Sequence, residues 1–237
     1  MIAQGEITGW TQGGFNVFVP CVNHVEEVKR CGRDVLIEIP DTRPVTRAQQ
    51  KKAHVLLNAI VEHTGYTPLE VVKWQTKMLF LSDAPTLADW FSLSNCSVEV
   101  ARLYITWLID FCLVNEIPCN EPLWKLAEDV PRYVYACLMQ KVCCVCGRRR
   151  VHLHHAIHPV GMRQRKTLPM IGMLVLSLCG RHHNEIHVDE RGFLERYILR
   201  PIPLTDRIAE VYHLTAANRR PAAEHDCYEP DWLKKIG

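Results

Sequence analysis

The strongest constraint on this chain is a run of closely spaced cysteines and histidines, KVCCVCGRRRVHLHHAIHPVG from Lys141 and then LCGRHHNEIH ending at His187. Seven of the twelve histidines fall between His152 and His187. Histidine clusters also arise on wet faces, in cores with both ring nitrogens satisfied, or as tracts that gather stray metal. Spacing argues for more, because His-His, His-x3-His and Cys-x2-His occur together just downstream of Cys-x2-Cys.

Cys143, Cys146, Cys179 and His182 make a closed tetrahedral Cys3His set for structural Zn2+, which folds a module rather than doing chemistry. Cys144 competes with Cys143, but the Cys-x2-Cys register pairs Cys143 with Cys146. With those four assigned, His154, His155, His183 and His187 remain. On a helix, His183 and His187 share one face, while His154 and His155 on a strand point to opposite sides. One strand histidine can then join the helix pair around a second metal while its neighbour faces substrate or solvent. The result is an open metal site with a base beside it.

These residues resemble the HNH nucleases, and most closely those of tailed phages, in the pattern HH, then VGM, then LC-x2-HH-x-E-x-H. The resemblance implies a ββα-metal module that hydrolyses DNA phosphodiester bonds. It implies His154 as first metal ligand, His155 as general base, and His183 and His187 as the helix ligands. The working cation would be Mg2+ or Mn2+, although an all-imidazole set intrinsically favours Mn2+, Ni2+ or Zn2+ over Mg2+. The chain departs from the pattern at Leu174, where an Asn that orients the base is expected, and at Met170 and Arg163, where His and Gly are expected. A backbone carbonyl or His158 could orient the base instead, or the module could bind DNA without cutting it.

Charge is unevenly spread. Residues 1–130 carry 11 Lys/Arg against 16 Asp/Glu, residues 131–200 carry 12 against 4, and the remainder 5 against 6. The basic segment is the His-rich one, which suits a polyanionic partner. Arg148, Arg149, Arg150, Arg163, Arg165 and Lys166 are placed to contact phosphates, giving affinity without sequence information. Eleven cysteines in a chain of 237 residues do not make a secreted disulfide scaffold, and those outside the cluster are expected to be reduced thiols. No apolar run reaches spanning length and no secretory signal opens the sequence, so a soluble protein is expected, in the host bacterial cytoplasm if phage-encoded.

Before the cluster, residues 5–40 alternate as short strands, for example FNVFVP and VLIEIP. Thr46 with Gln49 forms a capping-box signature for a helix ending at Gly65, and Thr67 with Pro68 opens a second. SVEVARLYITWLIDFCLVNEI is a third, largely buried helix, and NEPLWKLAED and VPRYVYACLMQK are shorter ones. Trp74, Trp90, Phe91, Tyr104 and Trp107 at helical spacing read as core, with base stacking the alternative. ILRPIPLTDRIAEVYHL reads as a short strand and helix before an irregular tail.

Residues 35–118 are similar to the phage Orf/NinB recombination proteins, in RPVTRAQQKKAHVLLNAI, GYTPLEVVKWQTKMLFL and SLSNCSVEVARLYITWLIDFC. That similarity implies single-stranded DNA as partner, together with the host recombinase and single-strand-binding protein. The expected protein is α+β, with a β-flanked helical domain at 1–130, a zinc-stabilised ββα-metal module at 131–200, and a strand, helix and tail at 201–237. Two further readings stay open: a non-catalytic recombination mediator, and a homodimeric junction-resolving endonuclease.

Overall fold

The computed structural model describes residues 6–19, 43–65, 67–83, 90–158, 160–161, 164 and 166–236. The chain divides into two compact units, Met1–Pro40 and Asp41–Gly237. In the first, β1 (Glu6–Thr11) and β2 (Gly14–Phe18) form an antiparallel hairpin, with Trp10 and Phe15 paired across it at 5.8 Å. FNVFVP falls largely on β2, whereas VLIEIP lies outside the described residues.

The second unit begins with helix α1 (Arg47–His63), and its start is set locally. The Thr46 hydroxyl accepts from the Gln49 backbone N–H at 3.1 Å, and the Gln49 side chain accepts from the Thr46 N–H at 3.1 Å. Both orphan donors are thereby satisfied, as the sequence predicts. Helix α2 (Leu69–Asp83) opens just after Pro68 rather than on it, the Pro68 carbonyl accepting from Val71 and Val72. Helix α3 (Val98–Val114), capped by Ser97, buries Ala101, Tyr104, Ile105, Leu108, Ile109, Cys112 and Leu113, a repeat of three and four residues that keeps one face inward. That face packs on Ala53, Leu56, Leu57 and Ile60 of α1. The Arg43 carbonyl accepts from the Val98 N–H and Val45 donates to the Cys96 carbonyl, so the starts of α1 and α3 are tied together.

NEPLWKLAED forms only one turn, α4 (Leu123–Leu126), before Asp129 caps α5 (Val130–Gln140). Helix α5 packs against α3 on one side and the second sheet on the other, giving one continuous core from Leu56 through Leu108 and Leu138 to Leu176. It ends with Lys141 in the left-handed region, φ 51°, which turns the chain into the cysteine cluster. That sheet is antiparallel in the order β3 (Val151–His155), β4 (Leu174–Cys179), β5 (Ile202–Pro203). All six residues of the central strand are buried. Helices α6 (Gly180–Val188), α7 (Glu190–Tyr197) and α8 (Asp206–Val211) complete the unit. The fold is therefore α+β.

Of the five aromatic residues expected in the core, Tyr104 and Phe91 are buried and Trp107 is partly buried against them. Trp74 and Trp90 are 57% and 53% exposed, which corrects the expectation: α2 turns only Val72, Thr76 and Phe80 fully inward, leaving Trp74 out, and Trp90 lies outside any helix. The C-terminal tail is also more than an irregular appendage, since Asn218, Asp226 and Leu233 are buried. The described cysteines are free thiols, and among the described residues no helix is long and apolar enough to cross a membrane.

Candidate metal centres and the histidine-lined cleft

The knuckle that follows α5 is shaped by its own backbone. The Gly147 N–H donates to the Cys143 carbonyl at 2.8 Å, and the Cys143 N–H donates to the Arg148 carbonyl at 2.9 Å. Gly147 has φ 68°, a conformation that a side chain would strain. The Cys144 N–H donates to the Ser177 carbonyl at 2.9 Å, fastening the knuckle to β4. Strand β4 ends at Cys179, which stands at the N-cap of α6, so His182 falls in the first turn of that helix.

These local arrangements bring Cys143, Cys146, Cys179 and His182 together, with one ligand atom from each lying within 4.8 Å of all the others. His182 Nδ1 is 3.3 Å from the sulfurs of both Cys143 and Cys179, and the Cys146 and Cys179 sulfurs are 3.8 Å apart. A tetrahedral zinc with Zn–S bonds of ~2.3 Å has S···S edges of roughly 3.8 Å, so the donor set fits that ion. Cys144 stands outside the set; it is buried, and its carbonyl accepts from the Tyr133 hydroxyl at 2.7 Å.

Burial lowers the His182 pKa, keeping its imidazole neutral and able to donate a lone pair. Burial also pushes the Cys143 thiol up to about 12. At Cys179 burial acts the same way, but the backbone N–H of His182 and the neighbouring thiols outweigh it and the pKa falls. A cation is what would bring all three sulfurs to thiolate together.

His154, His183 and His187 form the second cluster, again with ligand atoms within 4.8 Å of one another. Their ring centroids are 5.1, 5.0 and 4.6 Å apart, with planes steeply inclined. His183 and His187 are one turn apart on α6, and His154 reaches them from β3. His154 is 3% exposed, His183 is half-buried and His187 is exposed, so the cluster is rooted in the protein and opens outward. Three imidazoles with an open side suit a divalent cation that must also take a substrate oxygen.

His155 follows His154 in β3 and so projects to the other side of the strand, its backbone registered against Val175. Its Nδ1 is shielded from solvent. His155 and the three clustered histidines line one cleft of about 650 Å³, with Lys166, Met170, Thr215 and Asn218 among its other walls. Leu174 is a buried apolar residue at the start of β4, so no polar side chain stands at that position. His158 Nε2 meets the Tyr228 carbonyl at 3.0 Å, which engages that nitrogen with the tail.

Arg148, Arg149 and Arg150 are exposed, and Arg149 is ion-paired with Glu116. Lys166 is exposed on the cleft rim; Arg163 and Arg165 lie outside the described residues. Sequence reasoning missed Glu190, whose Oε1 lies 3.3 Å from His154 Nε2, and the pair Thr215 and Asn218 in the cleft wall. No local spacing marks them, because each meets its site from a distant segment.

The chain matches one protein-family model, described as "Putative HNHc nuclease", over residues 23–215. No curated protein and no solved structure matches it.

Proposed function

The chain belongs to the HNHc nuclease family, and from that premise we propose that it is a divalent-metal-dependent endonuclease that hydrolyses DNA phosphodiester bonds in this cleft. One observation carries the reading: an outward-opening three-histidine donor set borders a cleft whose lining includes the whole of β3, the strand that also bears a separate histidine, His155.

His154, His183 and His187 would hold a divalent cation, which when bound would supply positive charge to the scissile phosphate and to the leaving 3′-oxygen. His155 takes the proton of the attacking water, a general-base role that a neutral imidazole fills. The pairing of β3 with β4 holds the backbone of His155 in register, and α6, which carries His183 and His187, begins directly after Cys179. Zinc at Cys143, Cys146, Cys179 and His182 would therefore anchor the first turn of α6, and with it His183, before substrate arrives. Arg148, Arg150 and Lys166 contact backbone phosphates, and Arg149 can exchange Glu116 for a phosphate at little cost, because exposed ion pairs are worth only ~0–1 kcal/mol.

The setting we propose is phage recombination or replication, on single-stranded, flapped or branched DNA. A second reading, in which the helical segment docks single strands for a non-cutting mediator, is favoured by exposed Trp74 and Trp90 beside Lys77, whose ammonium lies 5.6 Å from the Trp90 ring.

The deciding experiment incubates the purified protein with single-stranded, duplex and branched DNA in Mg2+ and in Mn2+, beside His155→Ala and a chelator-treated control. Cleavage that disappears in the variant and the control is the expected result. A native chain that binds DNA and cuts none of these substrates in either ion overturns the nuclease reading in favour of the mediator.

A further inference from the structure

The chain that leaves β3 comes back along the cleft as residues 166–171, and this rim is gripped by a strap of the C-terminal segment, residues 215–222. All but the first residue of the strap lies beyond the family match.

The grip is made by polar groups with defined partners. Asn218 is 4% exposed; its Nδ2 donates to the Leu168 carbonyl at 2.9 Å, and its own carbonyl accepts from the Met170 N–H at 2.9 Å. Its Oδ1 accepts from the Thr215 N–H at 3.1 Å, which shapes the start of the strap. The Thr215 hydroxyl lies 2.8 Å from the Lys166 carbonyl and 2.7 Å from Asn218 Oδ1, so one hydroxyl joins strap and rim at Lys166 itself. Farther along, Arg220 donates to the Thr167 carbonyl at 3.1 Å, and the Ile171 and Ala222 N–H groups complete a two-way exchange with the strap.

Lys166, Thr215 and Asn218 line the same cleft as the clustered histidines. A lysine loses rotamer freedom when it grips a phosphate, and it grips better when its backbone is already fixed where the phosphate will lie. We propose that Thr215 and Asn218 are positioning residues that hold Lys166 at the rim of the DNA cleft, so that its ammonium engages a backbone phosphate next to the one being cut. This rests on the nuclease reading for its substrate.

The test measures the affinity of a mixed-sequence duplex and a single strand across a salt series, in a His155→Ala background that keeps the DNA uncut. Lys166→Ala is expected to weaken binding several-fold and to lower the slope of log affinity against log salt by about one. Thr215→Val, which removes the hydroxyl while keeping the shape, is expected to reproduce part of that loss, Thr215→Ser to restore it, and Thr215→Val to add little once Lys166 is alanine. Asn218→Ala is expected to behave like Thr215→Val; should its buried cavity unfold the chain, the Thr215 pair still decides. DNA that binds equally well with and without Lys166, or a Thr215→Val loss that persists undiminished in Lys166→Ala, overturns this inference and leaves the nuclease reading standing. A native chain that binds no DNA overturns both.

Discussion

His154 Nε2 and Glu190 Oε1 lie 3.3 Å apart, although 36 residues separate them in the chain. The same carboxylate oxygen accepts from the Ile157 N–H at 3.1 Å, and Ile157 has a left-handed backbone, φ 68°. Glu190, the first residue of α7, thus holds both the ring of one clustered histidine and the strained turn that follows its strand.

If this carboxylate orients a metal-binding imidazole, Glu190→Ala lowers affinity for Mn2+ at the histidine cluster by about 10–100-fold while zinc at the cysteine cluster is retained. Calorimetric titration with Mn2+, paired with elemental analysis for zinc, reads both. Unchanged Mn2+ affinity would show that packing alone holds His154.

Cys146 is exposed and Cys144 buried, so the two substitutions separate zinc binding from packing. Cys146→Ser is expected to remove the bound zinc and lower the melting temperature. Cys144→Ala is expected to keep the zinc and to cost about 1 kcal/mol or more, as small core deletions do. Zinc content and thermal unfolding of both variants check this; loss of zinc from Cys144→Ala would contradict the ligand set.

The zinc-free protein should be destabilised at both ends of the pH scale. Burial lowers the His182 pKa, so below ~6.5 the unfolded chain takes up a proton that the folded one resists, and stability falls with pH. The Cys143 thiol is pushed up to about 12 by burial, so above ~8.5 the unfolded thiol ionises first and stability falls as pH rises, a larger effect than the opposite contribution of Cys179, whose pKa is lowered. Zinc takes the place of the Cys143 proton and removes the alkaline loss. Denaturant midpoints at about pH 5.5, 7 and 9, with and without zinc, test this, and a flat profile for the zinc-free chain would refute it.

Helix α2 exposes Val71, Trp74, Met78 and Leu79 along one side. Trp74→Ala should therefore change stability by less than ~0.5 kcal/mol, whereas Leu108→Ala in the core should cost about 2–5 kcal/mol. If the helical segment docks single strands, Trp74→Ala and Trp90→Ala each weaken binding of an oligothymidine by ~1–3 kcal/mol. Equal affinity in all three proteins would exclude stacking at these positions.

Much of the candidate site was legible because the residues that could act as donors are local. Cys143 with Cys146, Cys179 with His182, and His183 with His187 are each pairs within one turn or one knuckle, so their spacing alone sets their mutual orientation. The same holds for the Thr46 and Gln49 capping box, a contact over three residues. Trp74 and Trp90 misled because apolar residues at helical spacing record an amphipathic pattern without saying whether a neighbour covers it.

By itself the sequence determined which residues could act as donors, where α1, α3 and α5 start, and that His154 and His155 must face opposite sides of a strand. Only the tertiary structure decided that β4 runs between β3 and β5 into α6, that Glu190 reaches His154, and that Thr215 and Asn218 close the rim of the cleft. The physical reason is range. Spacing governs rotation about a single helix or strand, whereas contacts between segments more than thirty residues apart depend on how whole elements pack, and that is settled by the shared core rather than by any one stretch of chain.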